Sequence, residues 1–136
     1  MIEDKMARDY QREYTPDMIG RLEENEVFVF GSNLAGFHGG GAARTALNKF
    51  GAVWGKGIGM HGQSYAIPTM QGGVDTIRPY VKEFISFAYA HPELKFYVTR
   101  IGCGIAGFTD REIAPLFAAA VNVPNIILPR QFVEVL

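Results

Sequence analysis

Two glycine-rich turns, each lying between a short unbroken apolar run and a helical pattern, constrain this chain more than any other feature. Val27-Phe28-Val29-Phe30 leads into Gly31-Ser32-Asn33-Leu34-Ala35-Gly36-Phe37-His38-Gly39-Gly40-Gly41, and then into Ala42, Ala43, Ala46, Leu47 and Phe50 at helical spacing, closed by Gly51. The order recurs later. Leu94 to Ile101 carries Phe96, Tyr97 and Val98; Gly102-Cys103-Gly104-Ile105-Ala106-Gly107-Phe108 comes next, and Thr109 and Glu112 then stand at capping-box spacing ahead of Ile113, Leu116, Phe117 and Val121. An apolar run with no polar alternation suits a strand covered on both faces. Strand, turn and helix in repeated order predict an α/β fold around a mixed, mostly parallel sheet.

The rest of the chain fills in that pattern. Ser64 to Thr69 reads as a further strand, and Ile77, Val81, Phe84, Ile85 and Ala88 predict a helix that begins near Asp75 or Thr76 and ends before His91-Pro92. Asn125 to Leu128 is a fourth buried strand, and Phe132 to Leu136 a short edge strand. Thr15-Pro16-Asp17 has the form of a helix start, with Thr15 as cap and Pro16 at the first helical position, so a helix is expected to about Glu24. Residues 1–14, charged and without a clean apolar period, read as a leader or as a docked helix. Pro115 implies a kink or a later start in the helix after Thr109. Gly57-Ile58-Gly59-Met60-His61-Gly62 has the G-x-G-x-x-G spacing of dinucleotide sites, but a strand comes after it where such a site needs a helix.

Composition narrows the function classes. The chain has 136 residues, nearly half of them hydrophobic, which is enough for one sizeable core and predicts a single domain over residues 15–136. A formal net charge of −1 leaves no basic surface for nucleic acid, so a small anion is the better charged partner. One cysteine allows no internal disulfide, and without Cys/His clusters neither a metal site nor a cofactor is expected. The absence of a secretory or membrane-length apolar stretch argues against a membrane partner and for a cytoplasmic setting.

Ligands of open α/β sheets sit at the carboxyl ends of the strands, so both turns should face one crevice. Turns without bulky side chains let backbone amides approach a ligand closely, and the amides that open the next helix favour an anion. The result is a diphosphate cradle that requires no lysine.

These residues carry a family resemblance. Val29-Phe30-Gly31-Ser32-Asn33, the run Gly39-Gly40-Gly41-Ala42-Ala43 and the loop Gly102 to Phe108 together resemble the macrodomain, a module that binds ADP-ribose. The resemblance covers the chain from about Asp17 onward and implies a three-layer α/β/α domain. It further implies that Asn33 contacts the distal ribose, that the amides around Gly40, Gly41, Ile105, Ala106 and Gly107 hold the phosphates, and that Phe108 packs on the ribose, with Ser32, Gly39, Gly102, Cys103 and Gly104 also among the ligand-binding residues. Asp17 would accept the adenine amino group, or else serve only as a first-turn charge.

Departures bear on catalysis. Ala106 stands where the family has an aromatic residue, the usual leading pair of strands is lacking, and Ala43-Arg44 stand where hydrolysing members carry an acid. If the chain is an ADP-ribosyl hydrolase acting on a modified protein or nucleic acid, Asn33, His38 and Asp110 are the candidates for water and proton handling. Cys103 is either a thiolate near a helix start or a small residue in a tight turn. Phe37 and Trp54 are candidate ligand neighbours, and Gln63, Ser64 and Thr69 candidate lining. A third reading keeps the fold as a partner-binding module that has lost its pocket.

Overall fold

A computed structural model of the protein describes residues 12–136. Of the leader or docked helix expected over residues 1–14, residues 1–11 lie outside the described residues, and residues 12–14 form no helix. Five strands form one mixed sheet: β1 (Glu26–Ser32), β2 (Gly59–His61), β3 (Ser64–Pro68), β4 (Lys95–Val98) and β5 (Ile126–Ile127). Their spatial order is β2-β3-β1-β4-β5; β1 pairs in parallel with β3 and β4, β4 in parallel with β5, and β2 antiparallel with β3. Four α-helices accompany the sheet: α1 (Gly41–Lys49), α2 (Val74–Ala90), α3 (Asp110–Ile113) and α4 (Arg130–Val135), with a 3₁₀ helix over Ala114–Ala120. The chain is thus an α/β protein, and among the described residues no helix is long and apolar enough to cross a membrane.

The central strand explains its own sequence. Val27 and Val29 face a large cluster with Ile77, Val81 and Phe84 of α2 and Phe117 of the 3₁₀ helix, while Phe28 and Phe30 face a smaller one with Ala43 and Ala46 of α1 and Phe50. Both faces of β1 are buried over Val27 to Phe30, so both sets of alternate positions there are apolar. Because β1, β3 and β4 are parallel, their carboxyl ends share one edge; Ser32 pairs with Pro68 across it.

Several expectations are corrected. Residues 15–24 form no helix. The Thr15 hydroxyl that would cap one instead donates to Ile127 O at 3.1 Å, and the Thr15 amide donates to Leu128 O at 2.9 Å. Tyr14 bridges Leu128 in parallel, so this segment runs extended beside β5. Phe132 to Leu136 is no edge strand but largely part of α4, because a helical turn brings Phe132 into full burial against Phe117, ring centroids 5.7 Å apart. The strand β2 was not expected; it is the outer arm of a hairpin turned at Gly62-Gln63. The capping box at Thr109 is present in both directions, and at Pro115 the helix neither kinks nor starts late but tightens to 3₁₀ geometry from Ala114.

Candidate functional site

A cleft of about 250 Å³ opens at the shared carboxyl edge of β1, β3 and β4. Gly31 and Ser32 line it from the end of β1 and Asn33 from the turn that follows, Thr69 and Met70 line it just after β3, and Thr99 and Arg100 just after β4. Both glycine-rich turns reach it. The first supplies Phe37, Gly40 and the start of α1 through Ala43; the second supplies Gly102, Gly104, Ile105 and Ala106. The two turns also approach each other, since a Cβ added to Gly40 would lie 3.6 Å from Ile105 Cδ1.

The backbone of the cleft is rich in unclaimed donors. As first-turn amides, those of Gly41, Ala42 and Ala43 have no partner within their helix. Gly40, the N-cap residue, supplies no side-chain cap, and the first turn of α1 contains no acid, whereas α2 and α3 each have one or more. In the second turn, Cys103 N, Gly107 N and Phe108 N donate to Arg100 O, Gly104 O and Gly102 O. Gly104, Ile105 and Ala106 amides have no partner among the described residues. Each loop therefore brings three successive free amides to one cleft, an arrangement that suits a group rich in anionic oxygens.

The first turn is braced from outside. Ser32 Oγ donates to Gly57 O, Gly55 N donates to Gly36 O at 2.9 Å, and His38 Nε2 lies 3.0 Å from Lys56 O. Residues 53–58 thus form a backing that was not expected from the sequence; its signal was the Gly55, Gly57, Gly59 series in a segment with no helix after it. At Gly57 the approach is so close that an added Cβ would collide with Asn33 O. Only glycine fits there.

The three residues considered for proton handling are all occupied elsewhere. Asn33 lines the cleft, but its amide nitrogen donates to Phe37 O at 3.0 Å and its amide oxygen accepts from Phe37 N at 2.8 Å, closing the turn on itself. His38 is 1% exposed, lies edge-on to Phe30, and does not line the cleft. A carbonyl only accepts, so His38 carries its proton on Nε2 for Lys56 O and leaves Nδ1 without a partner among the described residues. Asp110 takes Arg100 Nε on one oxygen at 3.0 Å and Nη2 on the other at 2.8 Å. Among the described residues that line the cleft, Arg100 is the only ionisable one.

Other expected site residues sit beside the cleft. Gly39, Cys103, Gly107 and Phe108 do not line it, and Phe108 and Cys103 pack against the large core. Cys103 is no thiolate: burial, with the neighbouring Asp110 carboxylate that accepts its S–H at 3.6 Å, pushes its pKa up to about 11. Gln63 donates to the carbonyls of Glu23 and Glu26, away from the cleft, and Ser64 bonds His61 O. Phe37, 59% exposed, lines the cleft and stacks on Trp54 with centroids 5.5 Å apart.

Asp17 borders a second cleft of about 380 Å³, formed with Thr15, Pro16, Pro129, Gln131, Thr99 and Arg100. Thr99 and Arg100 belong to both clefts. The first cleft falls a little short of the roughly 300–1,000 Å³ usual for ligand sites, and the second falls inside that range. Among the described residues, no group of three or more His, Cys, Asp or Glu is placed to hold a metal ion. No family model, curated protein or solved structure matches the chain.

Proposed function

We propose that the protein binds ADP-ribose, free or carried on a modified macromolecule, or a related nucleoside diphosphate, and that its fold is the three-layer α/β/α arrangement of the macrodomain. The observation that carries this reading is the pair of free-amide series, Gly41 to Ala43 and Gly104 to Ala106, lining one cleft. Such amides offer hydrogen bonds and partial positive charge to a diphosphate without a full counter-charge. The adjoining cleft at Asp17 has room for the base, and the resemblance assigns Asp17 to the adenine amino group.

Binding is favoured over hydrolysis. A general base must reach the water it activates, yet Asn33, His38 and Asp110 are bonded to other protein groups, and no carboxylate or imidazole lines the cleft among the described residues. The open cleft and its unclaimed amides likewise disfavour a module that has lost its pocket.

Calorimetric titration with ADP-ribose, alongside AMP, ADP and NAD, tests the reading, and Gly40→Asp is its sharpest control. Gly40 has extended backbone geometry, φ −154° and ψ 165°, which aspartate adopts freely, and aspartate is a good N-cap. The variant should melt no lower than wild type while its carboxylate, set among the phosphate-facing amides, weakens ADP-ribose by on the order of a hundredfold. Equal affinity in the two proteins would remove the α1 terminus from the site.

A further inference from the structure

Among the described residues, Arg100 is the one ionisable residue that lines both clefts, and the way it is held leaves part of its guanidinium free. A guanidinium has five N–H donors in one plane. Asp110 takes the Nε–H and one Nη2–H, side-on, at 3.0 and 2.8 Å. The remaining N–H groups, two on Nη1 and one on Nη2, have no protein partner among the described residues. One hydrogen on Nη1 and one on Nη2 form the end-on edge of the same plane, adjacent to the side that Asp110 holds, and an edge of that shape matches two oxygens of a phosphoryl group.

Asp110 is in turn fixed by its surroundings. It opens α3 behind the capped Thr109, and Cys103, from the middle of the second turn, donates its S–H to the same Oδ1 that receives Arg100 Nε. Strand end, turn and helix start are thereby tied through one carboxylate. Asp17, across the second cleft, adds a weaker negative field at Arg100, and the guanidinium stays charged under all ordinary conditions.

We propose that the free edge of Arg100 completes the anion site, taking a phosphoryl group where the two clefts meet, and that Asp110 is a positioning residue which presents that edge. The proposal rests on the nucleoside-diphosphate reading and sharpens it. The ligand class becomes a two-armed molecule with its anionic centre at Arg100, one arm in the cleft of the glycine turns and the other beside Asp17. The amides stabilise the anion as dipoles; Arg100, partly offset by its pairing with Asp110, adds charge-assisted donors, and with them a stronger dependence on salt than amides alone would give.

The test titrates wild type, Arg100→Gln, Arg100→Lys and Asp110→Asn with ADP-ribose and with inorganic pyrophosphate at two salt concentrations, with melting curves for each protein. A charge-assisted pair of this kind predicts a loss of roughly tenfold to a hundredfold for Arg100→Gln, together with a flatter salt dependence. Arg100→Lys, which keeps the charge and should fold even if the glutamine variant does not, cannot hold Asp110 and the anion with two edges of one plane, so it should lose affinity severalfold. Asp110→Asn should weaken binding severalfold; tighter binding would mean that Asp110 competes for Arg100, and would overturn its positioning role. If wild type binds ADP-ribose and both Arg100 variants bind it within twofold at unchanged salt dependence, the Arg100 proposal fails and the nucleoside-diphosphate reading stands. If wild type does not bind ADP-ribose, that reading fails; pyrophosphate binding lost in the Arg100 variants would still support the anion site, and no pyrophosphate binding would overturn both.

Discussion

The two glycine-rich turns are alike in composition and are held in place by different physics. The first, from Asn33 to Gly40, leans on a neighbouring stretch of backbone: Gly36 and Gly57 let residues 53–58 pack directly against it, and the carbonyls of Gly36, Lys56 and Gly57 accept from Gly55 N, His38 Nε2 and Ser32 Oγ. The second, from Gly102 to Phe108, is closed by its own backbone bonds and tied to its neighbours by side chains, with Arg100, Asp110 and Cys103 forming a clasp and Thr109 with Glu112 capping α3. Glycine content therefore does not report how a loop is stiffened. A brace of close-packed backbone is insensitive to salt and intolerant of added atoms; a clasp of partly exposed charged groups has the opposite sensitivities.

The sharpest way to break this comparison is to add one methyl group to each turn's support. Gly57→Ala would drive its Cβ into Asn33 O and to 2.8 Å from Leu34 O, and neither contact is the movable end of a side chain. A cost of about 3 kcal/mol or more is expected, with loss of ligand binding, since the first turn must shift. Gly104→Ala meets nothing within 4 Å and should change stability by no more than about 0.5 kcal/mol. Paired melting curves decide; equal effects would mean that the backing of the first turn yields as readily as open solvent.

That contrast also marks what the sequence could convey. β1, β3 and β4, with α1 and α2, were legible because apolar runs and helical spacing are local signals, and the Thr109 capping box because it is complete within four residues. The placement of both turns at one cleft came from strand-turn-helix order. Thr15 misled because its hydroxyl has two local uses, and the partner that claims it, Ile127, is 112 residues away. Phe132 misled because five residues of mixed polarity do not separate a strand from a helical turn. His38 and Asp110 were legible as residue types and not as partners: Lys56 O and Arg100 decide what each can do, and those contacts are set by packing. Arg100 itself directly precedes Ile101 and the second turn, at a strand's carboxyl end, which is the signal that marks it.

A smaller effect probes the clasp alone. Burial and the charge of Asp110 hold the Cys103 thiol in its neutral form, with its pKa pushed up to about 11. Alkylation at pH 8 should accordingly be slow in wild type. Asp110→Asn removes the charge and leaves the burial, so the pKa falls and the rate rises, about threefold for each unit of the fall once the weaker nucleophile is allowed for. An unchanged rate in a folded variant would detach Cys103 from the clasp and leave the second turn with the Arg100 pair only.

The smallest effect comes from the same thiol read as stability. In the unfolded chain Cys103 ionises around its ordinary value of 9.0, whereas in the folded protein it keeps its proton to about 11. Below pH 9 both states hold the proton and the difference contributes nothing; above it the unfolded state releases the proton first, so stability falls between pH 9 and 11. Tyr65, raised from 10.0 to about 12 by burial and then by the charge of Glu83, acts in the same direction over a higher window and belongs to the large core. The two sources separate by substitution. Cys103→Ala should remove a decline on the order of a few degrees in melting temperature that begins near pH 9, and Tyr65→Phe one that begins near pH 10. The brace of the first turn contains no thiol or phenol, so it adds nothing in this range. If wild type and Cys103→Ala melt in parallel from about pH 8 to 10, the second turn is not held through its thiol, and the two turns differ less than their hydrogen bonds imply.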